Sequence, residues 1–176
     1  SEAGAGYLLE RSGGVWDHAA YLKASNTDAQ DRFGASTDLG GERLVIGAPG
    51  EDSAATDVGG NQDDNSQSDA GAAYVFARSG GLWTQTAYVK ATNTDALDEF
   101  GSAAAIDGDT LAVGARGEDS DAFNQADDSV SNSGAVYVYA SDTDALWSWF
   151  TFLKASNPDA EDRFGSAVAL DGDLLA

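Results

Sequence analysis

A run of seventeen residues that comes back twice limits this chain more than any other feature. It reads FGASTDLGGERLVIGAP at residues 33–49, FGSAAAIDGDTLAVGA at 100–115 and FGSAVALDGDLLA at 164–176. The Phe-Gly pairs stand 67 and then 64 residues apart, and the rest of the sequence keeps the same register. Gly-Ala-Gly-Tyr-Leu from Gly4 answers to Gly-Ala-Ala-Tyr-Val from Gly71 and Gly-Ala-Val-Tyr-Val from Gly134. Trp16, Trp83 and Trp147 each precede Lys23, Lys90 and Lys154 by seven residues. A period of this size marks one supersecondary unit used repeatedly, each copy burying its faces against its neighbours. The chain holds almost three copies.

Composition narrows the unit to β-structure. Hydrophobic residues make up 42%, which excludes wholesale disorder, and 21 glycines against 2 prolines suit many tight turns between short strands. Thirty acidic residues against nine basic ones leave a net charge of −21. That field repels phosphate backbones and anionic lipid, so nucleic acid is excluded as a partner, and no apolar run is long enough for membrane insertion. Two like charges ~7 Å apart in water cost roughly 0.6 kcal/mol, a repulsion that salt screens and divalent cations relieve. Two readings of the acidity stand side by side, adaptation to a salty or secreted environment and cation binding. With no cysteine there is neither a disulfide framework nor thiolate chemistry. The sequence lacks an initiator Met and stops within a strand pattern, so it reads as a piece of a longer protein.

Alternation places strands at residues 4–9 and 16–24, joined by a turn at 11–14. A polar linker over 25–32 leads to a strand from Phe33 to about Leu39, a Gly40-Gly41 turn and a strand at 43–48. In the second copy Asp107-Gly108-Asp109 joins strands at 102–106 and 111–115, since Asp-Gly accepts the positive φ of a tight hairpin. Long acidic loops fill 50–70 and 117–133. Loops of that length in compact repeats more often carry function or ordered ions than nothing.

Phe-Gly with a downstream Gly-Ala-Pro, then a Gly-Ala-x-Tyr-Val strand and a Trp-bearing strand, resembles the FG-GAP repeat of integrin alpha-subunit propellers and their bacterial relatives. The resemblance spans essentially the whole chain. It implies an all-β β-propeller with blades of four antiparallel strands, Phe-Gly opening the innermost strand of each. On that reading residues 1–24 are the outer strands of one blade, 25–90 and 91–154 are whole blades, and 155–176 are the inner strands of a further one. About three blade-equivalents fall short of the usual four to eight. The expectation is a six- or seven-bladed ring completed by the rest of a longer chain or by a second copy. Buried cores are expected around Tyr74, Val75, Leu111, Val113, Val136 and Tyr137 in three antiparallel sheets, with Phe33, Phe100 and Phe164 buried between sheets.

In an antiparallel four-stranded blade the second and fourth strands run in the same direction, so the loop after the second and the linker after the fourth emerge together. One face is therefore expected to be carboxylate-rich. The linker recurs as Asn26, Asp28, Asp31; Asn93, Asp95, Asp98; and Asn157, Asp159, Asp162. Beside these lie Glu51, Asp52, Asp63 and Asp64, and Glu118, Asp119, Asp127 and Asp128. Hard cations such as Ca²⁺ take six to eight oxygen ligands, which such segments can supply. The alternative is that Asn and Asp simply cap turns by accepting from nearby amides. Calcium-binding blades of the resembled family carry Asp-x-Asp-x-Asp-Gly-x-x-Asp between Phe-Gly and Gly-Ala-Pro. Here only Asp107 with Asp109, Asp171 with Asp173, and Asp38 with Glu42 occupy that span, so these read as hairpin turns and Ca²⁺ falls to the acidic loops.

No nucleophile, base and orienting group recur together, and no phosphate-binding loop opens a helix. His18, the only histidine, reads as a strand surface residue. The tryptophans, Trp149 included, read as packing between sheets, with sugar stacking as the alternative. The functional expectation is a noncatalytic, secreted or cell-surface interaction and adhesion module, meeting a protein or glycan ligand on the acidic loop face. An accessory propeller of a secreted enzyme and a lectin-like propeller are the rivals.

Overall fold

Residues of alternating size, punctuated by glycine turns, pair into antiparallel hairpins from one end of the molecule to the other. The computed structural model describes residues 3–121 and 124–176; Ser1, Glu2, Ala122 and Phe123 lie outside the described residues. The first hairpin joins β1 (Gly6–Ser12) to β2 (Val15–Leu22). Sheet I takes β3 (Ser36–Gly40), β4 (Arg43–Ala48), β5 (Ala72–Ser79) and β6 (Leu82–Val89) in chain order. Sheet II repeats the meander with β7 (Phe100–Asp107), β8 (Thr110–Ala115), β9 (Ala135–Ser141) and β10 (Trp147–Leu153). A short hairpin, β11 (Leu170–Asp171) with β12 (Leu174–Leu175), follows. No helix occurs among the described residues.

The sheets stack face to face, so the two four-stranded sheets are apolar on both sides. Leu8, Ala20 and Leu22 of the first hairpin pack on Ile46, Tyr74 and Phe76 of sheet I. Val45, Val75 and Val89 on its other face meet Ile106, Val113 and Tyr137 of sheet II. Ala112, Val136 and Val138 then meet Val168, Leu170 and Leu175. All six expected core residues are buried. The expectation of three sheets is corrected to two complete sheets flanked by two two-stranded hairpins, the division that the repeat register itself implies.

The Phe-Gly pair works as the hinge between copies. Phe33 and Phe100 are 2% and 0% exposed, each ring set edge-on to a tyrosine of its own sheet, Tyr74 and Tyr137. Beside them the backbone comes too close for a side chain. A Cβ on Gly71, whose φ is +84°, would strike the Phe100 carbonyl, and one on Gly101 the Ala72 carbonyl. Phe164 departs from the expectation. It is 37% exposed, because only the short β11–β12 hairpin follows it and no outer strand brings a tyrosine to its ring.

Candidate functional site

The direction of the strands delivers the linkers and the long loops to one side, as expected. The Asn26 amide donates to the Gln62 carbonyl at 3.0 Å, and Asn65 donates to Asp28 at 3.1 Å. In the second copy Asn93 donates to the Gln125 carbonyl at 2.8 Å. Each loop is thus laced to the linker that precedes its sheet.

What holds this face down is a buried ion pair that the sequence reading did not assemble. Lys90, just past β6, places Nζ 2.9 Å from Glu51 Oε2, and both side chains are essentially sealed from solvent. The other oxygen, Oε1, accepts from Tyr88 Oη and from Asn26 Nδ2, each at 2.9 Å, while Oε2 also accepts from the Ser53 amide at 3.1 Å. Asn26 in turn accepts from Tyr74 Oη at 2.6 Å. A carboxylate buried with four donors is fully hydrogen-bonded, the condition under which a buried pair is tolerated. Burial pushes the Lys90 ammonium below the usual lysine value, with Glu51 opposing. It also drives the Tyr74 and Tyr88 phenols upward, so both remain donors.

Sheet II builds the same anchor. Lys154 lies 2.7 Å from Glu118 Oε2, which also accepts from the Ser120 amide; Asn93 donates to Oε1 at 3.0 Å and accepts from Tyr137. Glu51 and Glu118, expected among cation ligands on the open face, are therefore interior partners of lysine. The signal for this was present. Gly-Glu-Asp-Ser recurs at 50–53 and 117–120 in the same register as Lys90 and Lys154.

Most of the remaining carboxylates accept from backbone amides. Asp31, Asp98 and Asp162 accept from the amides of Asp28, Asp95 and Asp159, three residues earlier, at 2.7, 3.0 and 2.9 Å. Asp52 and Asp119 reach across their loops to the amides of Asp69 and Asn132. Asp64 and Asp127 bond the amides two residues on. Asp63, Asp128, Asn157 and Asp159 are exposed. Among the described residues no three histidine or acidic side chains converge as a metal-holding group.

Their crowding still has a chemical effect. Burial, then repulsion from Glu118, Asp95 and Asp119, lifts the Asp98 carboxyl to about 8 against the pull of the Asp95 amide. Asp31, its counterpart, is also raised, chiefly by burial. Asp95 is raised by burial and by Asp128.

Beside the acidic loops, where successive sheets approach each other, runs an ionic chain. Arg32 pairs with Asp69 at 2.7 Å and with Glu99 at 3.5 Å, and Glu99 also holds Arg116. Arg32, Glu99 and Arg163 occupy one repeat position and share a positive φ, near +58°, +52° and +54°. Glu99 and Arg116 line a cleft of about 270 Å³ with Asp69, Asn132 and Arg163.

His18 lies exposed on β2 beside Tyr7. Trp147 is buried beneath the Arg43 guanidinium, whereas Trp16 and Trp149 are exposed.

Stacked four-stranded antiparallel meanders opened by Phe-Gly define a propeller-type repeat module. The family model of the FG-GAP repeat matches residues 16–76 and 83–139, and the chain belongs to the FG-GAP repeat family. The matched segments begin near the Trp-bearing strand of one sheet and end in the third strand of the next, so they straddle the sheet boundaries. A comparison with curated proteins found no match.

Proposed function

We propose that this chain is a noncatalytic, extracellular or cell-surface interaction module that meets a protein or glycan ligand with its acidic loop face. The observation that carries the reading is the buried Lys–Glu anchor beneath each long loop. Loops without a role in binding need no fully satisfied ion pair to hold them, whereas a recognition surface gains from being set before its ligand arrives. The test is binding of the purified chain to a glycan array and to a panel of immobilised extracellular proteins, beside a variant carrying Asp63→Ser, Asp64→Ser, Asp127→Ser and Asp128→Ser. Binding lost in the variant supports the reading; a ligand held equally by both overturns it.

Exposed Trp16 and Trp149 favour a second, lectin-like reading, in which indole faces rather than the loops stack on sugar. Array signal abolished by Trp149→Ala but kept in the loop variant selects it. Calcium enters the proposal as a loosely held counter-ion of the exposed carboxylates Asp28, Asp63, Asp128 and Asp159, not as the occupant of a preformed cage. A higher melting temperature in Ca²⁺ than in chelator at equal ionic strength supports that part.

A further inference from the structure

Each buried anchor holds more than an ion pair. The carboxylate of Glu51 bridges an amine and a carboxamide, with Lys90 Nζ 2.9 Å from Oε2 and Asn26 Nδ2 2.9 Å from Oε1. On the carbonyl side of that carboxamide, Tyr74 Oη donates to Asn26 Oδ1 at 2.6 Å. Sheet II repeats the arrangement with Glu118 between Lys154 and Asn93, at 2.7 and 3.0 Å, and with Tyr137 Oη 2.5 Å from Asn93 Oδ1. The lysine and glutamate side chains are at most 2% exposed, so bulk water is kept from them. Ion pairing does not account for the phenol, which donates to neither charge and instead polarises the amide carbonyl. Together these are the parts of an acyl transfer: a nucleophile, a proton carrier that touches both nucleophile and leaving group, and a donor placed where negative charge develops.

We propose that each anchor condenses with itself to an isopeptide bond, joining Lys90 to Asn26 in sheet I and Lys154 to Asn93 in sheet II. In sheet I, Glu51 takes a proton from Lys90 Nζ, and the freed lone pair forms a bond to Asn26 Cγ. The carbonyl electron pair moves onto Oδ1, where the Tyr74 hydroxyl receives it. Glu51 passes its proton to Nδ2 and accepts a second one from Nζ, while the Cγ–Nδ2 bond breaks and its electron pair leaves with ammonia. The ammonia carries that last proton into water as ammonium, which restores the carboxylate. No oxidant or further reactant is consumed. Burial holds the Lys90 ammonium below its ordinary value, which favours the free amine, and keeps the Tyr74 and Tyr137 phenols protonated. The bond ties the linker that enters a sheet to the residue just past that sheet's last strand, fastening the base of the acidic face. It is a single self-modification that acts on no outside substrate, so it stands apart from the binding role proposed above.

Mass spectrometry of the intact, denatured chain tests the proposal. Purified protein that has folded is expected to weigh less than its 176-residue sequence by two molecules of ammonia. Its digest is expected to contain two branched peptides, one joining Asn26 to Lys90 and one joining Asn93 to Lys154. Glu51→Gln removes the proton carrier of sheet I and is expected to abolish the first branched peptide while the second persists, reporting in the same molecule that the chain has folded. Tyr74→Phe removes a single hydroxyl and is expected to slow appearance of the first branch by about 10²-fold in a time course of cell-free synthesis. The full sequence mass, loss of ammonia without a branched peptide, or a first branch undiminished in Glu51→Gln overturns the proposal, and a branch in one sheet alone overturns it for the other. Ligand binding enters none of these readouts, so failure here leaves the binding role of the acidic loops to its own test.

Discussion

Sheets I and II are one design executed with different side chains, and their differences show which parts of it are fixed by physics. The glutamate–lysine pair and the asparagine that bridges it to a tyrosine are the same in both, under loops of different length. The supporting donors are not. In sheet I Tyr88 donates to Glu51, and Ala70, just before Gly71, has no polar side chain to offer the lysine. In sheet II Phe152 occupies the place of Tyr88, and Ser133, in the place of Ala70, accepts from Lys154 at 2.6 Å. A phenol that satisfied the carboxylate is exchanged for a hydroxyl that satisfies the ammonium. The requirement is that the pair be hydrogen-bonded, and either end can meet it.

The surface pairs diverge further. Where Asn65 donates to Asp28 in sheet I, sheet II sets Asp128 against Asp95. Where Arg32 pairs with Asp69, the second copy has Glu99 and Asn132 at those positions, and Glu99 takes its cations from Arg32 and Arg116 instead. Interior pairs are held to one solution because an unpaired buried charge costs several kcal/mol. Exposed pairs contribute little and are free to change.

The sharpest way to break the parallel is to remove one charge of an anchor. Glu51→Gln leaves Lys90 buried without a counter-charge, and chemical denaturation is expected to show a loss of ~3–5 kcal/mol. Glu118→Gln is expected to cost less, since Ser133 still accepts from Lys154; equal losses would show that the hydroxyl does not compensate.

The hinge phenylalanines extend the comparison to the third copy. Phe100→Ala is expected to cost ~3–5 kcal/mol, and Phe164→Ala clearly less, because Phe164 is already 37% exposed. A melting temperature unchanged by Phe100→Ala would remove the ring from the core.

The raised carboxyl of Asp98 sharpens the contrast through pH. Its folded value of about 8 lies above the ordinary 3.8, so the native state binds the proton more tightly than the unfolded chain does. Its contribution favours folding most below the unfolded value, declines as pH rises between the two and is flat above pH 8. Asp98→Asn keeps an acceptor for the Asp95 amide and is expected to flatten that decline, making the variant more stable at pH 8 by at least about 1.4 kcal/mol. Parallel stability–pH curves for variant and parent would refute this.

The smallest expected effect is Asp128→Asn, which recreates the Asn65–Asp28 bond in sheet II. A gain of about 0.5–1 kcal/mol and a fall in the raised Asp95 pKa, followed by carboxyl NMR titration, are expected.

The strands and turns were legible because they are local. Period-two alternation placed Arg43–Ala48 to the residue, and Asp-Gly marked the turn between β7 and β8. Strand direction alone put the loops and linkers on one side. The role of Glu51 and Glu118 was not legible from acidity, since a carboxylate on an acidic loop looks the same whether it faces water or folds inward. Only the closing of the loop over the end of the sheet's outermost strand, β6 or β10, brings Glu51 to Lys90 and Glu118 to Lys154, 39 and 36 residues away.

By itself, then, the sequence determined the repeat, its register and the all-β character, because these follow from side-chain periodicity and backbone freedom at each position. The tertiary structure decided which charges are buried, which carboxylates cap turns and which phenylalanine lies open. Each of these depends on how much water the neighbouring sheet removes, and that is set by chain distant in sequence.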